Sequence, residues 1–292
     1  MMHSLLGSLL VASLAVFPAP QESGGRIRDL HVTVVDAQGN QVTDLTAEDF
    51  VVREDGAPRE VLKVGPSTAP LTISLLVDDS QAAQQAIQQL REGIMAFRAA
   101  LPDTAEVALA TFGERPTAVV EHTTSAEGLK RGVNRIFARP GAGAYMVDAI
   151  MESSRGLQAK APARPVIVVL TIEGIEFSNA RHEQALRELE KSGAVLHVVA
   201  IGNPSPGQDE EARNRNMLIA EGTRLTGGRR EQLLTEMAIP EKLKGLAEEL
   251  KNARPYQITY GRPDRLVPPE MVEVSVKKPG LTVRPPKRAA GK

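Results

Sequence analysis

Residues 71–80, with the sequence LTISLLVDDS, constrain the fold more than any other stretch of the chain. The first seven are mostly apolar without polar alternation, which is typical of a strand buried on both faces of a parallel sheet. This strand should end at Asp78, which is followed by Asp79 and Ser80. Because open α/β sheets bind ligands at the carboxyl ends of their strands, these three residues are the first candidates for a functional site.

Strands and helices alternate from residue 71 to about residue 236. Apolar residues recur at helical spacing directly after the first strand. This stripe consists of Ala83, Ile87, Leu90, Ile94, Phe97 and Leu101. The same helix should carry Arg98 toward water. Apolar runs at 106–112, 166–171 and 194–201 predict three further strands with helices between them. The pattern predicts an α/β fold with a doubly wound, mostly parallel sheet and helices on both faces.

Both ends of the chain have β patterns. Residues 26–66 contain three short strand-like runs, and similar runs occur at 256–260 and 271–283. Because three short strands bury too little surface to be stable alone, we expect the N- and C-terminal strands to form one small β domain. The predicted segments are a leader (1–20), an N-terminal β segment (26–66), the α/β domain (71–236), a C-terminal helix and β segment (237–285) and a disordered basic tail (286–292).

The first 20 residues resemble a secretory signal peptide. Their apolar stretch is about 13 residues long, which suits a signal peptide and is shorter than the roughly 20 residues that span a bilayer. We therefore expect an extracytoplasmic protein, periplasmic or secreted, with no transmembrane segment after cleavage.

Composition excludes several classes of function. The net charge is -1 and only 3% of residues are aromatic, so the chain has neither the basic balance nor the stacking groups of a nucleic-acid-binding protein. The absence of cysteine excludes disulfides and thiolate chemistry. No Gly-x-Ser-x-Gly motif is present, and the five histidines are scattered singly. These observations disfavour hydrolase and phosphoryl-transfer interpretations.

Several segments together resemble a known family. The order and lengths of the predicted elements look like those of the von Willebrand factor type A (VWA) domain. More narrowly, the segments VTVVDAQGNQVTDLTAEDFVVREDG, LTGG, LAEEL and VKKPGLTVR resemble bacterial exported proteins described as containing a VWFA-related domain. The resemblance covers nearly the whole chain after the leader. It implies a Rossmann-like sheet and a non-enzymatic module that binds a protein partner.

The resemblance also implies a metal-ion-dependent adhesion site. In the family, an Asp-x-Ser-x-Ser motif, a later Thr and a later Asp hold a divalent cation, usually Mg²⁺, which takes its last ligand from a partner protein. Here Asp78 and Ser80 match the first two motif positions, and Ala82 occupies the third. Ala144 aligns with the Thr and Glu173 with the Asp. The resemblance therefore implies a degenerate site whose candidate ligands are Asp78, Ser80 and Glu173.

We expect this reduced set of ligands to bind Mg²⁺ weakly if at all, because water must replace each lost hydroxyl. No other cofactor is expected. Without a cation, Asp78, Asp79 and Glu173 should crowd like charges in a cleft, which either raises the pKa of at least one carboxyl or leaves the carboxylates solvated. A Mg²⁺-dependent adhesion module with a working site remains the alternative interpretation. A metal-dependent hydrolase is a more distant one.

Overall fold

The computed structural model describes residues 26–203, 209–263, 267 and 269–289. The predicted leader, residues 1–20, lies outside the described residues. Helices within the described residues are α1 (Ile87–Ala100), α2 (Ala126–Val133), α3 (Met146–Lys160), α4 (His182–Ser192), α5 (Glu210–Thr226) and α6 (Ile239–Asn252). Strands are β1 (Arg26–Val35), β2 (Phe50–Glu54), β3 (Ala57–Arg59), β4 (Val61–Pro66), β5 (Leu71–Val77), β6 (Glu106–Thr111), β7 (Thr117–Thr123), β8 (Arg164–Ile172), β9 (Val195–Ile201), β10 (Arg230–Leu233), β11 (Tyr256–Arg262), β12 (Met271–Val276), β13 (Thr282–Arg284) and β14 (Lys287–Ala289).

A central sheet of six strands has the order β10-β9-β8-β5-β6-β7. All neighbouring pairs are parallel except β6 and β7, which are antiparallel. Every residue of β5 is buried, as expected for a strand in the middle of a sheet covered on both faces. The predicted α/β fold with a mostly parallel sheet is therefore confirmed.

Two hydrophobic cores lie on opposite faces of this sheet. Alternate residues of β5, such as Ile73 and Leu75, pack with α1 and α6, whereas Leu76 packs with α3 on the other face. The predicted apolar stripe of α1 is buried in the first of these cores. The expectation for Arg98 was wrong, because this side chain is buried and its Nη2 donates to the backbone oxygen of Thr124 at 2.7 Å.

The chain ends form two further four-stranded sheets, with the orders β13-β1-β11-β4 and β14-β12-β2-β3. β1 pairs antiparallel with β11, with Leu30 opposite Ile258, and β2 pairs antiparallel with β12. A third hydrophobic core fills the space between the two sheets. The expectation that N- and C-terminal strands form one small β domain is thus confirmed.

The prediction of a disordered basic tail was wrong for part of the segment. Residues 287–289 form β14, which pairs with β12, and the ammonium of Lys287 lies 3.0 Å from the carboxylate of Glu273. The C-terminal segment is therefore part of the β domain up to residue 289. No helix in the part of the chain described here is long and apolar enough to cross a membrane.

Candidate functional site at the carboxyl edge of the sheet

Asp78 lies at the carboxyl end of β5 and is completely buried. Its Oδ1 accepts from the backbone N–H of Ser80 at 2.9 Å, and its Oδ2 accepts from the backbone N–H of Ile172 at 3.0 Å. Burial raises the pKa of Asp78, and the hydrogen bonds from Ser80 and Ile172 partly oppose that rise. This carboxylate therefore links the ends of two neighbouring strands, because each of its oxygens accepts a backbone hydrogen bond.

Asp79 points to the other neighbouring strand. Its Oδ1 accepts from the N–H of Gly113 at 2.6 Å, and its Oδ2 pairs with Nε of Arg139 at 2.8 Å. Arg139 also reaches the carboxylate of Glu114 at 3.1 Å. A Cβ at Gly113 would lie only 2.7 Å from Oδ1 of Asp79, so glycine is required for this close approach. The carboxylate of Asp79 therefore forms an ion pair with Arg139.

The positions expected to supply hydroxyl ligands are tightly enclosed. Ser80 is buried and begins a short 3₁₀ helix, Gln81–Gln85. The methyl group of Ala82 lies close to Gly174, where a Cβ would come within 2.8 Å of it. Ala144 is also buried, and its backbone bonds to that of Ile175 and Phe177. Neither alanine can offer an oxygen from its side chain.

Glu173 follows β8 and pairs with Arg215 of α5. The distance between Nη2 of Arg215 and Oε2 of Glu173 is 2.8 Å, and the arginine side chain is only 3% exposed. Nη1 of the same guanidinium donates to the backbone oxygen of Gly174 at 3.3 Å. A fixed positive charge therefore lies against the third candidate ligand.

Residues 173–181, called the rim segment below, are held by further buried polar groups. Asp148 accepts from the backbone N–H groups of Asn179 and Ala180 at 3.1 and 2.8 Å. Glu176 accepts from the N–H of Met146 at 3.1 Å and from the hydroxyl of Ser178. Its other oxygen has no partner among the described residues, and burial raises its pKa to about 7.

The structure brings Asp78, Ser80 and Glu173 to the same edge of the sheet, as the sequence predicts. The expected crowding of carboxylates is absent, because Asp79 and Glu173 each face an arginine. The pKa of Asp78 is raised, but burial is the main cause and Asp79 only a minor one. No group of three or more acidic or histidine side chains close enough to hold a metal ion occurs within the described ranges.

Sequence reasoning missed Arg139, Arg215 and Glu176. A signal for Arg215 was present, since it follows Ala212 by three residues and precedes Ile219 by four, on the buried face of α5. A charged residue on such a face needs a buried partner. Glu176 gave no comparable signal, because it lies in a short segment without regular structure.

The doubly wound sheet, with Asp78 and Asp79 directly after its central strand β5, places this chain among the α/β domains with a mostly parallel sheet. The family model of the von Willebrand factor type A domain matches residues 72–226. The chain belongs to the VWA domain family, a family of protein-interaction modules.

Solved structures agree on the fold. A von Willebrand factor type A protein from Catenulispora acidiphila is 12% identical, with a TM-score of 0.52, and the match covers 93% of this chain and 75% of that one. Proximal thread matrix protein 1 from the mussel byssus is 13% identical, with a TM-score of 0.51 and coverage of 77% and 50%. The same mussel protein with a zinc-occupied MIDAS motif gives a TM-score of 0.52 at 13% identity, covering 68% of this chain and 49% of that one. No curated protein sequence matches the chain.

Proposed function

We propose that this chain is an exported, non-enzymatic protein-binding module in which an internal ion pair has replaced the family's cation. The single observation that carries the proposal is the bond between Arg215 and Glu173. A guanidinium at 2.8 Å from a candidate ligand opposes the approach of a second positive charge.

The remaining candidate ligands also fit a divalent cation poorly. Both oxygens of Asp78 accept backbone hydrogen bonds, which leaves only part of their acceptor capacity for a cation. Ala82 and Ala144 present methyl groups where the family places hydroxyls. Mg²⁺ requires near-octahedral oxygen coordination and loses its water reluctantly, so this set supplies too few oxygens.

Exposed apolar side chains near this edge support partner binding without a metal. Ile175 is 66% exposed and Phe177 is 48% exposed, and both belong to the rim segment. Phe177 lies over Gly143, and its ring centroid is 6.2 Å from that of Tyr145. The rim segment is held in place because it donates a hydrogen bond to Asp148 and accepts hydrogen bonds from Arg215 and Asn214. Ile175 and Phe177 are therefore presented in a fixed position. Preorganised apolar groups favour binding because little conformational entropy is lost.

Titration calorimetry with MgCl₂ and MnCl₂ tests the state of the site. We expect the unmodified protein to bind either ion more weakly than about 100 μM, which corresponds to roughly 5 kcal/mol. Binding tighter than this would support the cation-dependent adhesion module instead.

Reconstruction of the site provides the matched control. The triple variant Ala82→Ser, Ala144→Thr, Glu173→Asp restores the family ligands but retains Arg215. We expect substantial metal affinity only after Arg215→Gln is added, because the guanidinium then no longer competes for the carboxylate. If the triple variant alone binds metal as tightly as the quadruple variant, Arg215 does not block the site.

Partner capture from the native envelope tests the docking surface. Binding should persist in EDTA and should be lost in Ile175→Asp. It should be retained in Leu62→Asp, which places the same charge at a 48% exposed leucine of the β domain. Loss in EDTA would contradict the proposal.

Export is the second part of the proposal. It is supported by the length of the apolar stretch within residues 1–20. N-terminal sequencing of protein from the native host should find a mature start between about residues 16 and 25. Intact Met1 on cytoplasmic protein would refute export.

A further inference from the structure

A crevice of about 190 Å³ lies between the α/β domain and the β domain, at the opposite edge of the sheet from Asp78. Its charged and titratable lining consists of His31, Arg164, His197, Arg229, Glu249 and Arg284. Three of these side chains are arginines, and Glu249 is the only carboxylate among the described residues that line it. Glu249 already pairs with Arg229 at 3.2 Å, which leaves an excess of positive charge in the crevice.

Arg284 is the most informative of these residues. Its Nε is buried and has no hydrogen-bond partner among the described residues. Burial lowers its pKa, Arg229 lowers it further and Glu249 partly opposes this. The arginine stem packs over Gly227, where a Cβ would lie 2.2 Å from Cγ and Cδ. Since Gly227 has a φ of +77°, the end of α5 both requires a glycine and leaves space for this arginine.

Arg164 and His197 likewise have incompletely satisfied polar groups in the crevice. The Nη1 of Arg164 donates to a neutral group, the backbone oxygen of Ala69, at 3.1 Å, and burial lowers the pKa of this guanidinium. His197 is only 5% exposed, and its Nδ1 has no partner in the part of the chain described. Its pKa is lowered to about 4 by burial and by the two nearby arginines, so the ring is neutral at pH 7 and has one nitrogen free to donate or accept.

Buried polar groups normally have hydrogen-bond partners, and buried charges normally have counter-charges. Here the arginines of two domains converge on one crevice with donors left over. We propose that this crevice binds a small anion with a phosphate or carboxylate group, held between Arg164 and Arg284 with His197 as a neutral hydrogen-bonding group. The small volume favours an anion of the size of phosphate or citrate over a larger organic ligand. Guanidinium groups suit such anions because their planar donors match paired oxygens.

The test uses the unmodified mature chain with sodium phosphate and sodium citrate as probes, and sodium chloride at equal ionic strength as the reference. The two probes distinguish a tetrahedral oxyanion from a polycarboxylate. We expect at least one of them to raise the melting temperature saturably, by about 5 °C at a hundredfold excess over Kd. Chloride should not reproduce this rise.

Arg284→Gln should weaken binding of the active probe at least tenfold, measured by calorimetry. The matched control is Arg230→Gln, which removes an exposed arginine one residue after Arg229 that does not line the crevice. This control should bind normally. If Arg284→Gln fails to fold, Arg164→Gln replaces it, with the same expected loss. Equal binding by the lining variant and the unmodified protein, or no shift beyond that in chloride, would overturn the proposal.

Discussion

Replacing Glu176 with glutamine should remove a pH-dependent loss of stability. Glu176 is 4% exposed, and burial raises the pKa of its carboxyl from 4.5 to about 7. The oxygen that accepts from Met146 and Ser178 is retained in the amide of glutamine. The new amide nitrogen takes the place of the oxygen that has no partner among the described residues. Glutamine therefore imitates the protonated side chain without its titration.

The sign and size of the effect follow from linkage between proton binding and folding. The folded protein binds the proton more tightly than the unfolded chain, so the free energy of unfolding falls as pH rises from about 4.5 to 7. At about 1.4 kcal/mol per pKa unit, this loss approaches about 3 kcal/mol above pH 7. The difference in free energy of unfolding between Glu176→Gln and the unmodified protein should therefore rise by about 3 kcal/mol from acid to alkaline pH. This corresponds to roughly 6 °C in melting temperature.

Urea unfolding of both proteins from about pH 4.5 to 8.5 measures this difference, because the other titrating groups are common to both and cancel. The matched control is Glu248→Gln, which makes the same substitution at an exposed position of α6. A difference for Glu176→Gln that stays constant within about 0.5 kcal/mol across this pH range would refute the raised pKa.

Three further substitutions and one control, Gly156→Ala, test the packing of the site and of the β domain. Arg215→Met removes the bonds to Glu173 and Gly174 and should lower the free energy of unfolding by about 3 kcal/mol in urea titrations. Gly113→Ala forces a Cβ to within 2.7 Å of Asp79 and should cost about 2 kcal/mol, whereas Gly156→Ala, with open space around it in α3, should gain about 0.8 kcal/mol. Tyr260→Phe deletes the 2.9 Å bond from the tyrosine hydroxyl to the buried Glu54 and should lower the melting temperature through a loss of about 2 kcal/mol.

The central strands could be predicted because their signal is local. A run such as LTISLLV has no polar face, so it can only be stable between two layers of helices. β7 was missed because it is a partly exposed strand at the edge of the sheet, in which polar and apolar residues are mixed. β14 was missed for a similar reason, since a basic segment of three residues becomes a strand only through its partner β12.

The candidate site was predictable only in its location. The carboxyl ends of β5 and β8 meet because parallel neighbours share an edge, and this brings Asp78 near the rim segment. The charge balance was not predictable, because Arg215 lies 42 positions after Glu173 and Arg139 lies 60 after Asp79. Such pairs depend on how helices and loops dock, which the pattern of one segment does not encode.

The source of positive charge decides how this edge can respond to its surroundings. A bound cation exchanges with solution, so a site that needs one is sensitive to metal concentration and to chelators. Arg215 is part of the chain, so the positive charge that it places beside Glu173 does not exchange with solution. If Arg215 replaces the cation as we propose, the edge should keep its shape in the absence of metal and respond instead to pH through Glu176. An apolar rim presented by Ile175 and Phe177 then supplies the attraction for a partner that the family otherwise obtains from a metal-ligand bond.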